Sequence, residues 1–122
     1  MARILVVDDS PTEMFRFKEI LTKYGFEVLE ASNGADGVTM AQAELPDLVL
    51  MDVVMPGVNG FQATRQISRG NETKNIPIVI VSTKDQDTDR VWGKRQGASD
   101  YLTKPVDESQ LIEVIKQHLN AG

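Results

Sequence analysis

The feature that most constrains the fold of this 122-residue chain is its alternation of short apolar runs with amphipathic stretches. Residues 4–7, 48–51 and 78–81 form continuous apolar runs rich in Val, Ile and Leu. Runs of this length and composition are typical of strands that are buried on both faces, as in parallel sheets. Residues 26–31 and 100–102 are weaker strand candidates. The pattern therefore predicts five strands in a parallel sheet.

Amphipathic stretches follow each of these runs and predict five helices. The first has a clear start, because Ser10 can cap it, Pro11 suits the first helical position and Glu13 completes a capping box. Gly25 can end it. The apolar residues predicted to share its inward face are Met14, Phe17, Leu21 and Tyr24. The later helices are expected at about residues 34–43, from about 59, at 86–96 and from 107 onwards.

The element order βαβαβαβαβα predicts one domain with helices on both faces of the sheet, because parallel strands need crossover connections. The chain has room for five strands only. We therefore predict an α/β fold, a doubly wound five-stranded parallel sheet of order 2-1-3-4-5 in a flavodoxin-like three-layer sandwich.

Composition excludes several classes of protein. Thirteen basic against eighteen acidic side chains give a net charge of −5, which argues against a surface that binds nucleic acid. The absence of cysteine excludes disulfides and thiolate chemistry, and His118 alone cannot build a histidine-rich zinc site. No apolar run approaches the ~18 residues of a membrane span, and the first is too short for a signal peptide. We expect a soluble, cytoplasmic protein that does not insert into membranes.

Polar residues come directly after four of the five predicted strands. In doubly wound sheets the site lies at the carboxyl ends of the strands, near the switch point between the first and third. The residues at those ends are, strand by strand, Asp8 and Asp9, Asp52, Ser82 to Lys84, and Thr103 to Pro105.

Three carboxylates in one small volume repel each other, so that positive charge must offset them. Lys104 supplies one such charge, and Mg²⁺, which binds carboxylates together with water and phosphate oxygens, would supply the rest. Ser82 and Lys104 can donate hydrogen bonds to phosphoryl oxygens. The set therefore indicates phosphoryl transfer, and a carboxylate can itself be the nucleophile that forms an aspartyl phosphate.

Each of these residues also has an ordinary structural interpretation. The acids after the first strand could cap a helix, Asp52 could be a turn residue, Ser82 could be a cap and Lys104 a surface lysine. Their coincidence at the ends of neighbouring strands favours a joint site.

At these residues the chain resembles a known family, the receiver domains of two-component response regulators, which have the CheY-like fold. The segments that carry the resemblance are ILVVDD (4–9), LMDVVMP (50–56), IVS (80–82), GA (97–98) and YLTKP (101–105). The resemblance covers residues 3–119, and it implies one receiver domain over 1–122 without an output domain. Segments that resemble single-domain regulators of twitching-motility chemosensory systems are DSPTE (9–13), GFQATR (60–65) and VWGKRQGA (91–98).

The resemblance implies a role for each residue of the acidic set. Asp52 would be the phosphoacceptor. Asp8 and Asp9 would hold Mg²⁺ together with Asp52 and the backbone carbonyl of Val54.

The resemblance also implies a switch. Ser82 would bind the phosphoryl group and couple it to a conformational change in which Tyr101 moves inward. Lys104 would pair with the phosphate, and its bond to Pro105 would be cis.

The implied partners are a histidine kinase of the CheA type, as phosphodonor, and a downstream target on the face formed by the fourth helix, fifth strand and fifth helix. The chain would be a monomer and a signalling protein, with no enzymatic activity beyond its own phosphorylation and dephosphorylation. Its pathway would control type IV pilus twitching motility, with a chemotaxis-type or phosphate-sink receiver of another pathway as the alternative.

Two positions depart from the family's best-known pattern, Val54 and Lys84. In the family both positions flank the path of the water that attacks the acyl phosphate. A valine side chain cannot orient water, so we expect slow autodephosphorylation.

Two other functional classes share this topology. A magnesium-dependent phosphohydrolase would use similar acids, but it usually has an Asp-x-Asp pair and a cap insertion, whereas here Asp8 and Asp9 are adjacent and the loops are short. A flavin-binding module would have a loop rich in Ser, Thr and Gly after the first strand, where two acids would repel the phosphate.

Overall fold

The computed structural model of the chain describes residues 1–120. Its elements are β1 (Arg3–Val7), α1 (Pro11–Lys23), β2 (Glu27–Ala31), α2 (Gly34–Glu44), β3 (Leu48–Met51), α3 (Gly60–Arg69), β4 (Ile78–Ser82), α4 (Asp87–Arg95), β5 (Asp100–Thr103) and α5 (Glu108–Asn120). All neighbouring strands pair in parallel, in the order β2-β1-β3-β4-β5. The predicted fold class and strand order are confirmed. Within residues 1–120 no helix has both the length and the apolar character needed to cross a membrane.

The central strands are buried because helices cover both faces of the sheet. Side chains alternate along a strand, so Ile4 and Val6 of β1 enter one core cluster while Leu5 and Val7 enter the other. Helices α1 and α5 pack on the first face, and α2 and α3 pack on the second. Because helices cover both faces, the sequences of β1, β3 and β4 contain continuous apolar runs.

Helix α1 begins as predicted, but only half of its capping box forms. The Ser10 Oγ accepts a hydrogen bond from the Glu13 backbone N–H at 3.3 Å, and Pro11 is the first helical residue. The Ser10 backbone N–H donates to Asp8 Oδ1 at 2.9 Å, so it is not available to the Glu13 side chain. The predicted box is therefore wrong in its second bond, because an acid of the strand end takes its place.

The prediction of which residues of α1 face inward is confirmed except for Tyr24. Tyr24 lies at the end of the helix and is exposed, with its hydroxyl donating to Glu108 Oε2 of α5 at 3.0 Å. The chain turns away at Gly25, whose φ of +87° suits a residue without a side chain. Ile20 is buried on this face instead.

Candidate functional site

The acids that follow β1 and β3 come together as the strand ends predicted. Val7 is in register with Met51, so that Asp8 and Asp52 leave neighbouring strands side by side. Asp8 and Asp52 are buried, with 3% and 9% of their surfaces exposed, whereas Asp9 is exposed. One carboxylate oxygen from each of the three lies within 4.8 Å of the others. Such a group of oxygen ligands could hold a hard divalent cation.

Lys104 reaches this cluster from the end of β5. Its Nζ lies 3.0 Å from Asp8 Oδ2 and 3.7 Å from Asp52 Oδ1. Burial alone would lower the pKa of Lys104, but the hydrogen bond to Asp8 and the charge of Asp52 raise it overall. The ammonium group is therefore charged, and the site contains one cation for three acids.

The surroundings of Asp52 disfavour its ionised form. Burial raises the pKa of Asp52 to about 6, and the charges of Asp8 and Asp9 act in the same direction. Lys104 and the Val53 backbone N–H, which donates to Asp52 Oδ1 at 2.9 Å, oppose this increase. Additional positive charge at the site would favour the ionised form of this carboxylate.

Ser82 ends β4 and is fully buried. Its Oγ accepts a hydrogen bond from the Lys84 backbone N–H at 3.1 Å, and the Lys84 carbonyl accepts one from the Tyr101 hydroxyl at 2.7 Å. Tyr101 lies inward, with 6% of its surface exposed. Burial raises the pKa of its phenol, and the neighbouring Ser82 hydroxyl offsets part of the increase. Ser82 and Tyr101 are thus joined through one residue, Lys84.

The structure also shows the exposure of Val54 and Lys84 and the conformation of the Lys104–Pro105 bond. Val54 has 57% of its surface exposed, and Lys84 is exposed as well. The Lys104–Pro105 peptide bond is cis, as the resemblance implied.

The structure also brings to Tyr101 two residues for which the sequence predicts no role. Arg90 lies over the Tyr101 ring, with its Cζ 5.2 Å from the ring centroid, and Gly93 packs against the same ring. In the sequence both are ordinary members of an amphipathic helix. Their contact depends on how α4 is placed against β5, which periodicity does not specify.

A doubly wound sheet with three acids, a lysine and a serine at the carboxyl ends of its strands defines a receiver-type phosphoacceptor protein. Residues 4–116 match the family model described as response regulator receiver domain, and the chain belongs to this family. The chain is 65% identical over 115 residues to protein PilH of Pseudomonas aeruginosa, an alignment that covers 94% of this chain and 95% of that protein.

Solved structures show the same likeness. The chemotaxis protein CheY4 of Vibrio cholerae superposes with a TM-score of 0.91 at 29% identity, covering 96% of this chain and 98% of that one. The receiver domain of sensor histidine kinase PA1611 from Pseudomonas aeruginosa superposes with a TM-score of 0.91 at 27% identity, covering 98% of both chains. That structure has a magnesium ion coordinated in its active-site cleft. The prediction of a phosphorylation-switched response regulator is confirmed, and the family match favours it over the phosphohydrolase and the flavin module.

Proposed function

We propose that Asp52 accepts the phosphoryl group from the phosphohistidine of a CheA-type histidine kinase. An oxygen of the Asp52 carboxylate attacks phosphorus, the phosphorus–nitrogen bond breaks and the imidazole leaves, so that an aspartyl phosphate forms. The observation that carries this proposal is the position of Asp52, buried beside Asp8 and 3.7 Å from the Lys104 ammonium. The other two acids have different roles, since Asp8 is paired with Lys104 and Asp9 is exposed.

The three acids and the backbone carbonyl of Val54 would hold Mg²⁺. Three carboxylates against one ammonium leave an excess of negative charge, and all the ligands are oxygens, which suits this ion. When bound, the ion supplies the positive charge that the transferring phosphoryl group needs.

Ser82 and Lys104 would hold the phosphoryl oxygens. The Ser82 Oγ accepts its hydrogen bond from Lys84, so its own proton is free to be donated. The Lys104 ammonium lies between Asp8 and Asp52 and can turn toward the added charge. The phosphoryl group is expected to stabilise the inward arrangement of Tyr101 that this structure shows, and the proposed switch is the gain in population of that arrangement.

The proposed target surface is the face of α4, β5 and α5. Two apolar side chains of α4 are exposed there, Val91 and Trp92, the latter with 48% of its surface exposed. The identity to PilH supports a role in twitching motility. A phosphate-sink receiver of another pathway would have the same phosphoacceptor site and differ at this face. The monomeric state, the cytoplasmic location, the lack of other enzymatic activity and the single receiver domain over 1–122 stay predictions.

Labelling with a small acyl phosphate in the presence of magnesium tests the proposal, with intact mass as the measurement. Wild type should gain one phosphoryl group, and Asp52→Asn should gain none while keeping its circular dichroism spectrum. Asp36→Asn, an exposed acid of α2, should be labelled like wild type. A chelator should prevent labelling, and Asp9→Asn should reduce it strongly. Undiminished labelling of folded Asp52→Asn would place the nucleophile elsewhere.

A further inference from the structure

The face of α4 that contacts Tyr101 has an unusual composition. Gly93 is buried in the middle of this helix, and a Cβ added there would lie 3.1 Å from Tyr101 Cδ2 and 3.0 Å from Ile80 Cδ1. Distances this short would force a neighbour to shift. The inward Tyr101 ring therefore lies where the side chain of any other residue at position 93 would crowd it.

Arg90 lies one turn earlier on the same face and covers the ring. Its guanidinium carbon is 5.2 Å from the centroid of Tyr101, a distance typical of a cation–π contact. Its Nη1 donates to the Tyr101 carbonyl at 3.2 Å, and its Nη2 donates to Thr103 Oγ1 at 2.6 Å. The planar guanidinium thus joins α4 to two residues of β5 while it packs on the ring.

The opposite end of Tyr101 leads to the phosphoacceptor site. The hydroxyl is bonded to the Lys84 carbonyl, and the Lys84 N–H is bonded to Ser82 Oγ. A continuous series of contacts therefore runs from Arg90 through the Tyr101 ring and hydroxyl to the Ser82 hydroxyl. A group that stabilises the inward ring also stabilises this placement of Ser82.

We propose that Arg90 and Gly93 form a seat for Tyr101, and that Arg90 is a positioning residue which holds Ser82 ready for the phosphoryl group. The inference rests on the proposed function, because it assigns the seat to the phosphorylation switch. If the inward ring and the engaged Ser82 favour each other, a ligand at Asp52 binds more weakly when the seat is damaged. Arg90 touches no reacting atom and acts only through Tyr101.

Titration with beryllofluoride and magnesium, followed by the fluorescence of Trp92, the only tryptophan in the chain, tests this role. Arg90→Ala should raise the half-saturating concentration by about tenfold. The half-saturating concentration of Arg90→Lys should lie between those of wild type and Arg90→Ala. Lysine retains the charge but cannot donate to both β5 residues in one plane. Arg95→Ala is the matched control, an exposed arginine of the same helix, and it should behave like wild type. An unchanged midpoint in Arg90→Ala would overturn the inference.

A double-mutant cycle separates a role through Tyr101 from a general loss of stability. In a Tyr101→Ala background, adding Arg90→Ala should leave the midpoint unchanged. Independent effects that multiply would overturn the positioning role. If Arg90→Ala does not fold, Arg90→Lys and Arg90→Gln carry the same comparison.

The contact between Tyr101 and the seat can also be measured without any ligand. This measurement distinguishes a failure of the present inference from a failure of the proposed function. Nuclear Overhauser contacts between the Tyr101 ring protons and the Gly93 α-protons should be present in wild type and weakened in Arg90→Ala. Unchanged contacts would show that Arg90 does not hold the ring. A wild type that fails to respond to beryllofluoride, with the contacts intact, would instead contradict the proposed function.

Discussion

Asp52 is held in an environment that is unfavourable to its own charge. It is buried after β3 beside Asp8, and a single ammonium, that of Lys104, is close enough to compensate both. Such a carboxylate is costly to ionise in the free protein and gains most from a divalent cation.

The pH dependence of stability should reveal this cost. Burial raises the pKa of Asp52 from an ordinary value of 3.8 to about 6 in the folded chain. The folded chain therefore binds this proton more tightly than the unfolded chain does. The resulting gain in the free energy of unfolding is complete below pH 3.8 and is lost as pH rises through about 6. An asparagine side chain has no such loss. With chelator present, Asp52→Asn should therefore unfold at a higher urea concentration than wild type at about pH 7, by about 1–2 kcal/mol after screening by solvent. The difference should be smallest near pH 4, and parallel pH profiles would contradict the assignment.

Hydrolysis of the acyl phosphate should depend on Val54 and Lys84. The exposed Val54 side chain offers no hydrogen bond to an attacking water, and we expect the exposed Lys84 ammonium to attract a phosphoryl oxygen. We expect Val54→Asn combined with Lys84→Glu to shorten the phosphorylated lifetime by about tenfold, which corresponds to about 1.4 kcal/mol of barrier. The measurement is loss of phosphate after the donor is removed, with Val91→Asn on α4 as the control. A lifetime that is equal or longer in the double variant would show that these side chains do not control the water.

At the scale of elements, the start of α3 is packed directly against Asp52, the proposed phosphoacceptor. The Gly60 N–H donates to the Val53 carbonyl at 3.0 Å, and an added Cβ would lie 1.9 Å from the Asp52 carbonyl oxygen. The backbone of Asp52 and Val53 leaves no space for a side chain at this position. The position of Asp52 is thus fixed by the helix that follows it as well as by its strand.

Gly60→Ala should therefore lower the free energy of unfolding by about 2–3 kcal/mol and reduce labelling of Asp52, because the strand end must shift. Gly57→Ala is the comparison, because a Cβ at that position meets nothing within 4 Å. Only its φ of +74° is unfavourable for alanine, and this should lower the free energy of unfolding by about 1–2 kcal/mol. Urea unfolding of both variants gives the two values. A loss in Gly60→Ala no larger than that in Gly57→Ala would contradict the close packing.

The elements that could be predicted from the sequence are those whose identity depends on burial along the chain. The strands at residues 4–7, 48–51 and 78–81 were correct because both of their faces are covered, and the acids at their ends meet because parallel strands end at one edge. Periodicity predicts Tyr24 on the inward face, which is wrong, because periodicity does not show at which residue a helix ends. The contact of Arg90 with Tyr101 depends on packing between elements far apart in sequence, for which one chain offers no pattern.

At the scale of the molecule, the fold separates the proposed phosphoacceptor site from the surface proposed to signal. The site lies at the carboxyl ends of the strands, and Ser82 and Lys104 connect it to the ends of β4 and β5. The β4 side is linked through Lys84 to Tyr101 and through Arg90 to α4. Helix α2 packs mainly on α3, β1 and β2 and has no such link within the described part of the chain. A change at Asp52 should therefore affect β5 and α4 more strongly than α2.

The most direct test of this claim is the amide NMR spectrum of the chain with and without beryllofluoride and magnesium. We expect shifts throughout residues 83–92 and 100–112, smaller changes in residues 34–43, and none of these effects in Asp52→Asn. A stable phosphoryl mimic at Asp52 adds negative charge that draws the Ser82 and Lys104 donors toward it, and both strand ends then adjust. Shifts confined to Asp8, Asp9, Asp52 and their immediate neighbours would contradict a transmitted switch.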